Sequence, residues 1–331
     1  MIKQIVLDKL PIILAVLLYI LIYFLRFQQG GFEPKIDIFK NQRQYLDQRI
    51  SEILPSPQAE LLSGILLGQN KNLPNTLKLA LRDTSTLHVV VASGQNLSLV
   101  AGFFLALSGL IKRKSAIFLS LSAVILYTLL TGLQVPILRA AVMFSLSSMA
   151  QIFGRQKETF RILSLTAALM LLVNPNWITD LSFQLSFLAT LGVVVVAPIL
   201  LNHLKYLPII GQDLAVTLGA QLIVTPVIVQ NFHQLSLVSV LANLLIGWTV
   251  PFTMILGTIM LFVSLISMSL ANILGLVVGV FLTYFIYIVQ FFAHFSFAWE
   301  YVGEQVWVVW VGYYMLLTGI MLLLKNAQRE N

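Results

Sequence analysis

Apolar residues recur along this chain in runs of about 20, the length an α-helix needs to cross hydrocarbon. They predict helices near 10–27, 88–111, 115–131, 133–153, 159–173, 181–200, 209–230, 236–265, 270–294 and 305–324. The pattern predicts an all-α, polytopic transmembrane bundle of about ten spans, some of them broken. Breaks are expected within 88–111 and 236–265, where Ser, Gly, Pro and amide side chains interrupt the apolar run.

One long polar stretch, 28–87, departs from this pattern. Ile36, Phe39, Leu46, Ile50 and Ile53 fall near one helical face, with Lys35, Asp37, Lys40, Arg43, Asp47, Arg49 and Glu52 mostly elsewhere, as in an amphipathic helix. Pro55 and Pro57 end it. Two further helical pieces are expected, 58–67 closed by Gly68 and 77–82 capped by Asn75. The expected organisation is an N-terminal anchor over 1–27, an amphipathic interfacial region over 28–87 on the outer face or the mouth of the bundle, and a transmembrane domain over 88–331. A helical linker is the other reading of 28–87.

Composition agrees: 58% of residues are hydrophobic and 10% charged, with a mean hydropathy of +0.91. Soluble domains carry nearer a quarter charged residues, so the chain is expected to be an integral membrane protein. The absence of Cys excludes disulfides, thiolate metal sites and a cysteine nucleophile. The net charge of +7 matters less than its placement. With the N-terminus in the cytoplasm, cytoplasmic turns carry Lys112, Arg113, Lys114, Arg155, Lys157, Arg161, Lys205, Lys325 and Arg329, and the external turns after 173, 230 and 294 carry no Lys or Arg. That is the arrangement the positive-inside rule expects. Lys3 and Lys9 precede the first apolar run as in a signal peptide, yet no small-residue cleavage site follows, and an uncleaved anchor is expected.

Polar residues inside predicted spans are costly in lipid and should face protein or water. The densest group is LHVVVASGQNLSLVAGF (87–103), with His88, Ser93, Gly94, Gln95 and Asn96; the Ser93-Gly94 pair is a candidate helix break. LTGLQVPILRAAVMF (130–144) carries Arg139, the lone Lys or Arg that the topology buries, three residues after Pro136. Its guanidinium suits a phosphate through two parallel hydrogen bonds, and an ion pair with Asp180 is the structural alternative. ITDLSFQLSFLATLG (178–192) places Asp180, Ser182, Gln184 and Ser186 at a span entrance after Asn174-Pro175. Gln221 with Pro226, then Asn243 with Gly247 and Pro251, repeat the pairing of an amide with a helix breaker. Interhelical hydrogen bonding is the bland reading of each.

Enzymatic signatures are lacking. No Walker A motif, no HExxH spacing and no His-Asp cluster occur. An intramembrane serine protease would have Gly two positions before its Ser, where Val91 stands. No catalytic residue, cofactor or metal site is expected.

These motifs, in order, resemble the membrane competence domain of ComEC-family DNA-uptake proteins. The matching text is LLSGILLGQNKNLP (61–74), LHVVVASGQNLSLVAGF, GLQVPILRAAVMF with Gly154-Arg155 after it, LLVNPNWITDLSFQLSFLATLG, and GAQLIVTPVIVQNFHQLSLVSVLANLL (219–245). The resemblance runs from about Pro55 to Gly257. It implies passage of one DNA strand through the inner membrane during natural transformation, with a separate DNA receptor, nuclease and cytoplasmic helicase or ATPase as partners besides the single-stranded DNA and the lipid bilayer. The positions that match the family's motifs are His88, Ser93, Gly94, Arg139, Arg155, Pro175, Gln184, Ser186, Gln221, Pro226 and Asn243. Gln95-Asn96 stands where the family usually has Leu-His, and Ser182 replaces a frequent Gly. The family's external oligonucleotide-binding barrel and metallo-β-lactamase-like domain find no counterpart in this text, so DNA degradation is not expected of it. Phe183, Phe187, Trp248 and Phe252 are candidate stacking platforms for bases. The competing expectations are a small-solute transporter coupled to protons through Asp180 or His88, and an envelope assembly scaffold.

Overall fold

The computed structural model describes residues 2–30, 32, 37–91, 93–154, 158–207 and 210–330, and side chains only between 16 and 326. Lys3, Lys9, Lys35, Ile36, Arg155, Lys157 and Arg329, used in the topology and amphipathicity arguments, lie outside the described residues or side chains. In chain order the helices are α1 (Ile2–Gln29), α2 (Lys40–Ile53), α3 (Gln58–Leu67), α4 (Asn75–Asp83), α5 (Leu87–Val90), α6 (Gly94–Ala106), α7 (Arg113–Leu130), α8 (Val135–Ile152), α9 (Thr159–Val173), α10 (Leu181–Val195), α11 (Ala197–Leu204), α12 (Gly211–Phe232), α13 (Ser239–Gly247), α14 (Thr249–Ser264), α15 (Met268–Ala293) and α16 (Trp307–Glu330). One small antiparallel ribbon, β1 (Gln234–Ser236) with β2 (Trp299–Tyr301), ties the α12–α13 connection to the α15–α16 connection.

Among the described residues, α7, α8, α12, α15 and the 307–326 part of α16 are long and apolar enough to cross a membrane. Two bent pairs, α10 with α11 (44°) and α13 with α14 (42°), raise the number of spans to seven. The second bend, at Trp248, falls where Gly247 and Pro251 predicted a discontinuity, and Pro251 sits in the first turn of α14, where its missing N–H costs no helical bond. The outward faces are apolar: Leu276 is 74% and Phe262 67% exposed. Surfaces of that kind belong against lipid, and the chain is a multi-pass membrane protein. Hydroxyls inside the helices turn back on their own backbone, as Thr128 does to the Val124 carbonyl (2.7 Å) and Thr253 to Thr249 (2.8 Å).

The core lies where the polar stretch 28–87 enters the bundle. Eight of the ten residues of α3 are buried, and Leu61, Leu62, Ile65 and Leu66 share one cluster with residues of α14 and α15. Gly257 of α14 meets Leu62 and Leu66, and Gly275 of α15 meets Ile53; at both points the missing side chain lets helices approach. Within 28–87, α3 is core and not an interfacial helix: it carries a nearly continuous apolar sequence, QAELLSGILL, and packs it against α14 and α15. The stripe read on α2 does turn inward, with Ile50 fully buried and Leu46 and Ile53 half-buried. Arg43 occupies the same stripe, between Phe39 and Leu46, and is also buried; it pairs with Asp37 and donates to the Leu130 carbonyl (2.8 Å) at the end of α7. Gly68, in the left-handed conformation (φ 70°), closes α3 as expected. Asn75 does not cap α4; it is the first helical residue, and Pro74 precedes it.

Helices α10 and α12 pack most closely. A Cβ at Gly192 would overlap the Gly219 carbonyl, and one at Gly219 would lie 2.9 Å from the Ala197 amide nitrogen. Gly192→Val should therefore cost about 1–3 kcal/mol by overpacking, seen as a lower melting temperature in detergent. Gly102→Ala, where nothing lies within 4 Å, should leave it unchanged.

Candidate functional site

The expected break before Gly94 is present. Val91 (φ −87°, ψ 132°) and Ser93 (φ −115°, ψ 169°) are extended, and α6 starts at Gly94. Asn96, one turn in, is 1% exposed. Its Nδ2 donates to the Ile65 carbonyl at 2.9 Å, and its Oδ1 accepts from Ser93 Oγ at 3.2 Å. The reason lies in α3. Its terminal amides close back, Gly68 to Gly64 and Gln69 to Ser63, which leaves the Ile65 carbonyl to find a donor outside its own helix. Gln134, in the α7–α8 turn, serves the Gly68 carbonyl in the same way at 3.2 Å.

Arg139 lies one turn into α8, and Pro136 occupies the first turn of that helix, so it initiates α8 rather than kinking it. Arg139 Nη1 donates to the Ser186 carbonyl of α10 at 2.7 Å, an acceptor that Thr190 Oγ1 shares at 2.9 Å. Its Nη2 lies against Gly94: a Cβ there would sit 2.9 Å from that nitrogen and 3.3 Å from the Ala140 Cβ. Its Nε is buried without a hydrogen-bond partner. The expected alternative, an ion pair with Asp180, does not form. Asp180 caps α10 instead, its Oδ1 accepting from the Phe183 amide at 2.8 Å. Among the described residues the guanidinium thus meets no carboxylate. It stands beside the start of α6, whose own partial charge is positive, and the locality is electropositive and short of anions.

The remaining candidates divide into separate groups. Gln184 Nε2 donates to the Ile178 carbonyl (2.9 Å), bracing the turn of helix at 175–179 that leads into α10. Gln221 and Ser239 bond reciprocally (Nε2 to Oγ 2.6 Å, Oγ to Oε1 2.9 Å), and Asn243 Nδ2 donates to the Ser239 carbonyl at 2.9 Å. Ser239 was not singled out in the sequence; its position four before Asn243 on one helix face was the available signal. His88 bonds its Nδ1 to the Ser85 carbonyl (3.0 Å) and is exposed, and Gln95 is exposed. Asp180 and His88, the groups a proton-coupled transporter would use, are both held in local bonds. Phe183 is buried against Phe187 (centroids 4.3 Å apart) in a core cluster, whereas Trp248 and Phe252 face outward beside Phe281 and Tyr284.

Pro226 does not break its span, because α12 runs through it. A helical proline leaves the carbonyl four residues earlier without a donor and disturbs its neighbour. Those two carbonyls, Leu222 and Ile223, accept from the hydroxyls of Tyr313 and Tyr314 of α16, each at 2.9 Å. Two hydroxyls from a neighbouring helix repair the ladder.

Among the described residues no group of three or more His, Cys, Asp or Glu is placed to hold a metal ion. The chain matches the family described as Competence protein over residues 65–327. It is 28% identical to ComE operon protein 3 of Bacillus subtilis over 63% of this chain and 26% of that protein. It is 28% identical to the Escherichia coli protein YcaI over 66% of this chain and 31% of that one, and 31% identical to an Aquifex aeolicus protein over 47% and 38%. The chain thus spans between about a quarter and two fifths of the curated relatives it matches. No solved structure matches it.

Two substitutions test this reading of the polar groups. Asn96→Ala should cost about 1–3 kcal/mol by stranding the Ile65 carbonyl, measured as loss of thermal stability in detergent. Tyr313→Phe with Tyr314→Phe should lower stability by about 0.6 kcal/mol per hydroxyl, and the same pair in a Pro226→Ala background, where α12 supplies its own donors, should lower it less.

Proposed function

We propose that this chain, which belongs to the competence protein family, lines a path by which single-stranded DNA crosses the inner membrane into the cytoplasm. The observation that carries the proposal is the Arg139 guanidinium: it is held in place by the Ser186 carbonyl and Gly94, yet faces no carboxylate among the described residues. A structural arginine in a span pairs its charge; one left unpaired beside a helix start is arranged for a mobile anion, and phosphate matches its planar donor fork. Gly94 lies against it, Ser186 accepts from it, and Ser93 and exposed Gln95 flank Gly94 in the chain; polar groups of this kind contact a backbone without reading its bases. Sparse charge suits transit, because a strand held by many cations would leave slowly.

The span number of about ten is completed in this reading by α1, by α5 with α6, and by α9, which join the seven long or bent spans. The first anchor (1–27), the inserted region (28–87) and the channel domain (88–331) then act as one unit. The chain supplies no motor motif, so pulling falls to a cytoplasmic helicase or ATPase, and delivery of single strands to a separate receptor and nuclease.

Entry of a labelled single strand into proteoliposomes tests the proposal. Arg139→Gln removes the charge and the bond from Nη1, leaving the Ser186 carbonyl to Thr190 Oγ1, which already shares it. It should reduce passage about tenfold or more, the worth of one charge-assisted hydrogen bond, while the melting temperature stays near that of the parent. Unchanged passage, or equal passage of duplex, would overturn it.

A further inference from the structure

The surface of α4 holds a groove of about 310 Å³, lined by Asn75, Lys78, Leu79, Arg82 and Leu87. The helix is amphipathic: Leu77, Ala80 and Leu81 are buried, and Asn75, Lys78, Leu79 and Arg82 are exposed. Lys78 and Arg82 are four residues apart and share one side of the helix, about 6 Å from each other at Cβ. Arg82 pairs with its neighbour Asp83 through Nε and Nη2 (3.1 Å each), which leaves its Nη1 outside that pair, and Lys78 enters no ion pair among the described residues. Exposed Lys71 precedes the helix in the polar run 69–72.

The position of this groove follows from the hydrogen bond between Gln134 and the Gly68 carbonyl. That bond ties the start of the α3–α4 connection to the α7–α8 turn, which has no Lys or Arg and is external by the positive-inside rule. The basic face of α4 therefore stands on the side from which a strand arrives. Its chemistry favours a nucleic-acid backbone over a lipid headgroup. An anionic lipid needs a continuous apolar strip beside its charge, whereas the helical neighbours of Leu79 are Asn75, Thr76, Arg82 and Asp83, all polar.

We infer that the α4 groove is a docking site for incoming single-stranded DNA, in which Lys78 and Arg82 hold successive phosphates and Leu79 and Leu87 support a sugar or base. This rests on the DNA reading above and adds a receiving surface distinct from Arg139. Phosphates held by two flexible cations at the rim are released readily to the path, and the contact is sequence-tolerant.

Because the chain has no Cys, a single Leu79→Cys carries an environment-sensitive dye at one defined place. With the full chain in phosphatidylcholine nanodiscs, oligo(dT) binding is followed by oligonucleotide anisotropy and by the dye. The expected result is a dye response that tracks anisotropy, with Lys78→Ala/Arg82→Ala lowering the salt slope by about 1.4, two phosphates at about 0.7 each. Anisotropy binding with a silent dye and an unchanged slope would overturn the α4 site and leave the DNA reading standing. No anisotropy binding at all would overturn both. A dye that responds to added phosphatidylglycerol and not to oligo(dT) would assign the groove to lipid and overturn the site.

Discussion

A backbone carbonyl released at a helix end or a proline needs a donor wherever water is shut out, and this fold depends on supplying several of them from another helix. The Ile65 carbonyl takes Asn96, Gly68 takes Gln134, Leu130 takes Arg43, and Leu222 and Ile223 take two tyrosines; Arg139 adds a bond to the Ser186 carbonyl inside α10. These bonds join α2, α3, α6, α7, α8, α10, α12 and α16, which apolar packing alone would hold only loosely, since lipid is as apolar as a leucine face. Several polar positions in the spans therefore work as caps supplied by a neighbouring helix.

Arg139 belongs to this set and also differs from it. Asn96, Gln134 and the tyrosines are neutral, so their bonds leave nothing over. A guanidinium has five donors and a full charge; one carbonyl satisfies a small part of that. The contrast with Arg43 is instructive, because Arg43 is the more enclosed of the two and has Asp37 beside it. Arg43 fastens the end of α7, whereas Arg139 reaches a carbonyl inside α10 and meets no carboxylate among the described residues. Gly94 is what permits the approach, since any larger residue there would press on Nη2.

Much of the architecture was legible in the sequence. The run 159–173 coincides with α9, the runs 133–153 and 236–265 enclose α8 and the α13–α14 pair, the other runs overlap their helices with displaced ends, and the interruptions at Ser93-Gly94 and Gly247 fall at real breaks. Such features are local, set by hydropathy and by glycine and proline geometry. What was hidden required knowing neighbours. Pro226 reads as a breaker until Tyr313 and Tyr314, far along the chain, are seen to complete its ladder. The polar stretch 28–87 reads as a surface segment because its average polarity conceals α3, whose own ten residues are core. Arg43 sits on the apolar stripe of α2, where charge argued against burial until its partners were known. Of the candidate site, Ser93, Gly94, Asn96, Arg139 and Ser186 meet, Gln221 and Asn243 meet elsewhere through Ser239, and His88 and Gln95 join neither group.

The central claim is that a DNA strand travels past the start of α6 beside Arg139. Site-specific photocrosslinking tests it most directly, with a photoreactive side chain in place of exposed Gln95 and a labelled single strand held in mid-passage. The account predicts crosslinks from position 95 to the strand, weakened when Arg139 is neutralised and absent from a position on the outward face of α15 such as Leu276. A strand that reaches the cytoplasmic side without ever crosslinking at position 95 would contradict it.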